Sequence, residues 1–175
     1  ISDRPLDVNL QEIKKVKREW PDRALVVSLM VPVTEASWKA IVPLVEETEA
    51  DGIELNFGCP HGMSERGMGA AIGQDPEYIE NIARWCKQST SMPVIVKLTP
   101  NITDIRNPAK AAQKGGADAV SLINTINSII GIDLDDMAPN PSTDGQGSHG
   151  GYCGPAVKPI ALNMVAEIAR DAATA

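Results

Sequence analysis

Cys59 lies where a strand-like stretch, residues 51–55, gives way to a polar loop, residues 64–69, with too much glycine to continue the strand. A thiol at the carboxyl end of a strand stands where α/β barrels place their chemistry. A lone cysteine is more often a buried core residue. Pro60 and His61 are poor companions for a core position, however, and they favour a functional thiol.

Polar residues also follow the neighbouring strand-like stretches. Asn56 precedes Cys59, Lys97 lies near the end of the next stretch, and Asn124 and Thr125 follow the one after it. Because the carboxyl ends of parallel strands meet at one mouth of a barrel, we expect these side chains to lie close together. Amides offer both donors and an acceptor, so they can bind the edge of a small heterocycle.

Each of these residues also has a structural interpretation. Lys97 can lie at a sheet edge with its ammonium in solvent, although its apolar neighbours favour a ligand-facing position. Asn124 and Thr125 can cap the turn that follows them. His61 can act as an acid or a base near neutral pH, but it carries less weight than the thiol, and His149 is expected in solvent.

Strand-like and helix-like stretches alternate along the chain. Apolar periodicity predicts helices from residue 34 and over residues 8–20, 76–87 and 109–114, and strands over 24–31, 51–55, 94–98 and 119–123. This alternation predicts right-handed βαβ units and a parallel sheet, about half of a TIM-type (β/α)8 barrel. Residues 131–151, rich in glycine, are predicted to form a long loop. Four residues on predicted helices are assigned to packing: Trp20, Trp38, Trp85 and Cys86.

Length and charge limit the class of protein. With 175 residues, 43% of them hydrophobic, the chain can form one domain with a sizeable core. A complete barrel takes about 250 residues. The chain starts without Met and stops inside a helix-like stretch, so residues 1–175 are expected to be a fragment of one barrel domain. The net charge of −7 argues against a nucleic-acid groove, which needs a basic stripe.

The three cysteines, Cys59, Cys86 and Cys153, are far apart in the sequence and form no CxxC pair. We therefore expect no zinc or iron–sulfur site in this stretch. The sequence shows no signal peptide and no long apolar span, which predicts a reduced, cytoplasmic protein without a membrane segment.

The run NFGCPHGMSERGMG, together with KLTPN, INT and GGYCGPAVKPIAL further on, resembles the pyrimidine-reducing flavin domain of the dihydropyrimidine dehydrogenases. It is especially similar to the bacterial type, whose subunit carries FMN and iron–sulfur clusters. The resemblance extends from ISDRPLDVNL to the last predicted helix. Shorter NxxCP loops also occur in dihydroorotate dehydrogenases and in dihydrouridine synthases, and the PHGM extension narrows the choice. The acidic charge also disfavours the synthases, which act on tRNA.

The resemblance implies an FMN-binding barrel that reduces uracil and thymine to their 5,6-dihydro forms. The hydride would come from FMN, and the proton would come from Cys59, the catalytic residue. Two shoulders of the site would bind the substrate, formed by Asn56, Phe57, Gly58, Asn124 and Thr125. Lys97 would offset negative charge on the flavin, and Gly154 would approach it where a side chain would obstruct. For the whole enzyme the resemblance implies iron–sulfur clusters, NAD(H), an oligomer and an electron-transfer subunit or domain carrying FAD.

The sequence departs from the family pattern at three points, and two alternatives stay open. Thr34 stands where the family commonly has a substrate-binding Asn, Cys153 stands where it usually has Ser, and the last barrel strands are absent. Those strands carry much of the flavin phosphate site. One alternative is a dihydroorotate dehydrogenase-like flavin barrel, although no obvious arginine for a substrate carboxylate follows the strands. The other is a catalytically inert half barrel whose exposed sheet edges pair with another chain.

Overall fold

Helices and strands alternate through the computed structural model, which describes residues 4–60, 67–140, 142–143, 146–147 and 150–174. The main strands are β1 (Val26–Leu29), β2 (Gly52–Phe57), β3 (Val94–Leu98) and β4 (Ala119–Ser121). The helices are α1 (Leu6–Glu19), α2 (Glu35–Glu46), α3 (Ala70–Gly73), α4 (Pro76–Lys87), α5 (Arg106–Lys114) and α6 (Lys158–Arg170). A 3-10 turn at Pro155–Val157 leads into α6. None of the helices in these described ranges has the length and apolar content needed to cross a lipid bilayer.

The four main strands form one parallel sheet in the order β1-β2-β3-β4. Each strand therefore pairs with the next one along the chain, and the intervening segments carry α2, α4 and α5. This succession of parallel strands and helices is that of a partial (β/α)8 barrel, as predicted. The register aligns Asn56 with Lys97 and Lys97 with Ser121.

Burial alternates along the central strands and divides the sheet into two faces. On one face, side chains are fully buried beneath the helices: Ile53, Leu55 and Phe57 on β2, and Val94, Val96 and Leu98 on β3. On the other face, Glu54 and Asn56 of β2 and Ile95 and Lys97 of β3 are only partly covered. Because successive strand residues point to opposite faces, the polar side chains share the face away from the helices.

Trp38 anchors the core between α2 and β2. Its side chain is fully buried, and its ring meets that of Phe57 edge-on, with the centroids 6.0 Å apart. Cys86 is also fully buried, and burial raises the pKa of its thiol to about 12. Trp85 is partly buried against the same core. The packing role predicted for these three residues is therefore confirmed.

Trp20 does not pack as predicted. Helix α1 ends at Glu19, so Trp20 lies one residue beyond the apolar stripe, and its side chain is 59% exposed. Only its backbone N–H continues the helical pattern, donating to the carbonyl of Val16 at 2.9 Å.

The predicted long loop is wrong in part, because residues 126–152 contain short antiparallel strands. Strand β5 (Ile126–Ser128) pairs with β10 (Gly150–Tyr152), β6 (Gly131–Ile132) pairs with β7 (Pro139–Asn140), and β8 (Ser142–Thr143) pairs with β9 (Gln146–Gly147). Strands of two or three residues are too short to show the alternation from which a strand is predicted. His149 lies outside the described residues.

Asp104 stabilises the first turn of α5 through a chelated ion pair. Its carboxylate accepts hydrogen bonds from the backbone N–H of Arg106 at 3.0 Å and from the Nε and Nη2 of that residue at 2.8 Å each. These bonds lower the pKa of Asp104 to about 2. The folded-state pKa lies below the reference value of about 3.9. The stabilisation is therefore present above about pH 4 and is lost as the pH falls toward 2.

Replacing Asp104 with Asn should remove this acid-dependent stabilisation. We expect the variant to unfold at lower urea concentration than the wild type at pH 6, and the difference to shrink as the pH falls from 4 to 2. Arg106→Gln removes the partner of Asp104, and its difference in urea stability from the wild type should shrink over the same pH range. A difference that is equally large at pH 6 and pH 2 would mean that the ion pair is not its source.

Candidate active site at the carboxyl ends of the strands

A pair of amides joins the end of β2 to the segment that follows β4. The Nδ2 of Asn124 donates to the Oδ1 of Asn56 at 2.9 Å. The same Asn56 oxygen accepts from the backbone N–H of Gly58 at 3.2 Å, while the Asn124 Oδ1 accepts from the backbone N–H of Thr125 at 2.8 Å. Both asparagine side chains are therefore fixed by bonds to their own loops as well as to each other.

The amide pair keeps hydrogen-bonding capacity for a ligand. Within the part of the chain that the structure describes, the Nδ2 of Asn56 donates to no protein acceptor, and one N–H of Asn124 is used by Asn56. A primary amide carries two N–H donors and a carbonyl acceptor. The two half-buried side chains can thus present several donors to the carbonyl and imine groups of a flat ring.

Gly58 makes room for the amide pair. A Cβ atom at this buried position would lie 2.3 Å from the Cβ and 2.7 Å from the Nδ2 of Asn124. Those separations are far below van der Waals contact, so any side chain here would push Asn124 away from Asn56. The contact between Asn56 and Asn124 therefore requires glycine at position 58.

Cys59 follows Gly58 directly and is half-buried. Its carbonyl accepts a hydrogen bond from the backbone N–H of Ala70, at the start of α3, at 3.0 Å. Gly69, with φ of +59°, approaches so closely that a Cβ there would lie 2.5 Å from the same carbonyl. The short helix thus fixes the backbone that carries the thiol. His61, the weaker acid–base candidate, lies outside the described residues.

The structure does not bring the side chain of Phe57 to the site. Phe57 is fully buried and packs against Trp38 beneath the helices. Its neighbour Asn56 points to the opposite face of β2, because side chains alternate along a strand. The prediction that Phe57 contributes to the substrate shoulder is therefore wrong for its side chain.

Lys97 forms an ion pair that the sequence did not reveal. Its Nζ lies 2.7 Å from the Oε1 of Glu54 on β2, and the Lys97 and Glu54 side chains are only 26% and 19% exposed. Burial raises the pKa of Glu54, but hydrogen bonds from Lys97, Ser28 and Ser121 outweigh it, and the net pKa is lowered. Glu54 is therefore an anion in the middle of the polar face. In the sequence, apolar and polar residues alternate over Ile53, Glu54, Leu55 and Asn56, and this pattern could have indicated that Glu54 shares a face of the strand with Asn56.

A cavity of about 360 Å³ opens beside Lys97. Its polar lining consists of Lys97, Asn124, Thr125, Cys153, Gly154 and Lys158, and the remaining walls are apolar. The volume falls within the usual range for small-molecule and cofactor sites, about 300–1,000 Å³. The structure therefore brings together four of the predicted residues: Lys97, Asn124, Thr125 and Gly154.

Two features of the cavity wall suit a flat, hydrogen-bonding cofactor. Gly154 has a φ of +86°, and no atom of the described residues lies within 4 Å of the point where its Cβ would be, so its backbone faces open space there. The Oγ1 of Thr125 is buried without a hydrogen-bond partner among the described residues. Buried hydroxyls are normally bonded. The accessible backbone of Gly154 and the unpaired hydroxyl of Thr125 therefore fit a flavin, and so do the two lysines of the cavity wall.

Asn101 ties the strand-end loops together and was also missed by sequence reasoning. Its Nδ2 donates to the Oγ1 of Thr99 and to the carbonyl of Thr125, both at 3.1 Å. Its Oδ1 accepts from the backbone N–H of Asn127 at 2.9 Å. The segment that carries Asn124 and Thr125 is thereby held to the end of β3.

The structure places two of the residues that depart from the family pattern, Thr34 and Cys153, differently. Thr34 caps α2, accepting the backbone N–H of Ser37 at 3.1 Å, and is exposed. Its hydroxyl is thus engaged in helix capping. Cys153 is exposed and lines the cavity next to Gly154.

Comparison with known proteins gives a consistent set of relatives. The family model described as dihydroorotate dehydrogenase matches residues 2–174. A chloroplastic dihydropyrimidine dehydrogenase (NADP(+)) from Arabidopsis thaliana is 45% identical over 97% of this chain and 40% of its own length. The NAD-dependent dihydropyrimidine dehydrogenase subunit PreA of Escherichia coli K12 is 41% identical over 96% of this chain and 40% of its own length.

A third relative and a solved structure belong to enzymes named for dihydroorotate. The catalytic subunit of dihydroorotate dehydrogenase B (NAD(+)) from Pyrococcus abyssi is 41% identical over 91% of this chain and 49% of its own length. A crystal structure of Eimeria tenella dihydroorotate dehydrogenase with ferulenol superposes with a TM-score of 0.66 at 21% identity. It covers 93% of this chain and 48% of that one, so the likeness supports the half-barrel fold. The chain thus spans less than half the length of these relatives.

Proposed function

This chain belongs to the dihydroorotate dehydrogenase family, and from that membership we propose that the whole protein is a flavin-dependent reductase of uracil and thymine. The two relatives named dihydropyrimidine dehydrogenase support this choice of substrate. The observation that carries it is the Asn56–Asn124 amide pair, which lies next to Cys59 at the strand ends. A pyrimidine base offers carbonyl and N–H groups in one plane, and paired amides are suited to hold such an edge in register.

FMN is the cofactor that we propose for the cavity beside the amide pair. Lys158 would contribute positive charge, Lys97 hydrogen-bond donors, Thr125 a hydroxyl, and Gly154 a backbone that a ring can approach closely. When bound, FMN would supply the hydride chemistry that amino-acid side chains do not perform.

Cys59 is the residue that we propose as the proton donor. Reduction of the ring double bond adds a hydride to one carbon and a proton to its neighbour, and the Cys59 thiol would hold that proton. Thiols have a reference pKa of about 8.5, so they are mostly protonated at neutral pH yet can release a proton to a developing carbanion. The backbone contacts of Cys59 with Ala70 and Gly69 would keep the backbone that carries the thiol in place during the transfer.

Electrons would reach this site through other parts of the enzyme. We propose NAD(H) as their source and iron–sulfur clusters with an FAD-carrying subunit or domain as their route, in an oligomeric enzyme. The name of the Escherichia coli relative, an NAD-dependent subunit, is consistent with such a partner. Among the described residues, no group of three or more His, Cys, Asp or Glu side chains is arranged to hold a metal ion.

Oxidation of dihydroorotate is the second candidate, favoured by the Pyrococcus relative. Orotate carries a carboxylate, which needs a cationic or amide-rich contact. The described cavity wall contains no arginine, and one of its two lysines, Lys97, is already paired with Glu54. These features favour the uncharged pyrimidine.

The proposal is tested by the absorption spectrum of the full-length protein after incubation with FMN and removal of unbound flavin. Retained flavin whose bands shift with uracil, but not with orotate, supports the pyrimidine site. A shift with orotate alone supports the second candidate, and a colourless protein overturns both. Asn124→Ala is the matched variant, because it should keep the flavin and lose the response to uracil. For the 175-residue chain alone we propose inactivity, since β1 and β4 are edge strands of the described parallel sheet.

A further inference from the structure

Glu54 is a junction between all four strands of the parallel sheet. From β2, its Oε1 accepts the hydroxyl of Ser28 on β1 at 2.8 Å and the ammonium of Lys97 on β3 at 2.7 Å. Its Oε2 accepts the hydroxyl of Ser121 on β4 at 3.2 Å. Each of the other three strands therefore contributes one donor to a single carboxylate.

The strand register explains why these donors converge. Ser28 is the direct neighbour of Glu54 across β1 and β2, while Lys97 is the direct neighbour of Ser121 across β3 and β4. Lys97 itself is aligned with Asn56, which lies two residues beyond Glu54 toward the carboxyl end of β2. Its long side chain therefore turns back along the sheet to reach Glu54, and Lys97 also lines the cavity, whose wall does not include Glu54.

This arrangement limits what Lys97 can contribute to a bound cofactor. An ammonium has three N–H donors, and at least one of them is used by Glu54. A carboxylate 2.7 Å away also offsets most of the field of the ammonium at any distance much greater than the pair itself. Lys97 thus presents directed hydrogen bonds with little net positive charge.

Resting on the proposed flavin site, we propose that Glu54 is a positioning residue that fixes the Lys97 ammonium at the wall of the flavin cavity and sets the flavin reduction potential. A reduced flavin carries more negative charge than an oxidised one. An unpaired Lys97 would therefore favour the reduced form and raise the potential, and Glu54 opposes this effect. The carboxylate keeps the bound flavin a stronger reductant than the lysine alone would allow.

Glu54→Gln tests the charge of this residue at nearly constant shape. In the full-length protein, we expect the variant to favour the reduced over the oxidised flavin by about tenfold relative to wild type. For a two-electron couple, this corresponds to a midpoint potential about 30 mV more positive. Glu54→Asp keeps the charge and should shift the potential less. An unchanged potential in Glu54→Gln overturns the proposal.

Glu46→Gln is the matched control. Glu46 also accepts hydrogen bonds, from the hydroxyls of Thr90 and Ser91 and from the backbone N–H of Ser91. Those partners precede β3, at the end of the sheet away from Lys97, so the control removes a bonded carboxylate without touching the cavity. Its potential should equal that of wild type, and an equal shift in both variants would overturn a specific role for Glu54.

A second measurement examines Lys97 without flavin or pyrimidine. Acetic anhydride must reach the Nζ of a lysine in order to acetylate it, and in the wild type the Glu54 carboxylate engages this atom of Lys97 at 2.7 Å. In the flavin-free protein, mass spectrometry should find acetylation of Lys97 at least threefold faster in Glu54→Gln than in wild type or Glu46→Gln. An unchanged rate overturns the holding role even if the pyrimidine function is correct. Faster acetylation with no response to uracil would instead count against the proposed function alone.

Discussion

Replacing Cys59 with Ala should lower the rate of uracil reduction by about 10²–10⁴-fold, the usual contribution of a positioned general acid. Among the described residues at the strand ends, the amides of Asn56 and Asn124 are not acids, and Lys97 is paired with Glu54. Neither the two amides nor the paired lysine is therefore suited to replace the thiol as proton donor. Uracil affinity should change little, because the amide pair proposed to bind the ring is held by bonds that do not involve the Cys59 side chain.

The measurement is steady-state reduction of uracil by the full-length enzyme, with uracil binding followed through the flavin spectrum. Cys86→Ala provides the matched control, since it makes the same chemical change at a fully buried helical position. It should lower thermal stability and leave the rate per folded molecule unchanged. Activity that survives in Cys59→Ala would assign the proton to another residue.

The sequence predicted the parallel core well because its strands and helices carry strong local signals. Helix α4 begins at Pro76 as predicted, since Asp75 caps it by accepting the backbone N–H groups of Glu77 and Tyr78. Strand β3 has the predicted bounds, 94–98, because its four apolar residues, interrupted only by Lys97, suit a strand whose one face is covered by helices. The small strands within residues 126–152 have no such signal, since each depends on a partner elsewhere in the loop.

The site was less predictable because its contacts depend on strand register. The polar residues at the strand ends could be located by position, and the structure brings Asn56 to Asn124. The partner of Lys97 could not be located in this way. Glu54 is 43 positions away in the sequence, and it contacts Lys97 only when β2 and β3 are aligned. The error on Phe57 was avoidable, since residues adjacent in a strand cannot line the same face.

Replacing Gly58 with Ala should weaken uracil binding by about 30- to 100-fold, the loss expected for roughly two ring hydrogen bonds. The added methyl would overlap the Cβ of Asn124, which lies 2.3 Å from its ideal position. Rotation of the Asn124 side chain cannot relieve an overlap with its own Cβ. The backbone at Asn124 must therefore move, and the bond from its Nδ2 to Asn56 would break.

Titration of the flavin spectrum with uracil measures this loss, and Gly131→Ala is the control. Gly131 lies in β6, and no atom from the described part of the chain is within 4 Å of the point where its Cβ would be, so the same methyl can be accommodated there. The double variant Gly58→Ala with Asn124→Gly should regain part of the space but not the affinity, because the second amide is then missing. Full uracil affinity in Gly58→Ala would show that the pyrimidine does not depend on the alignment of Asn124 with Asn56.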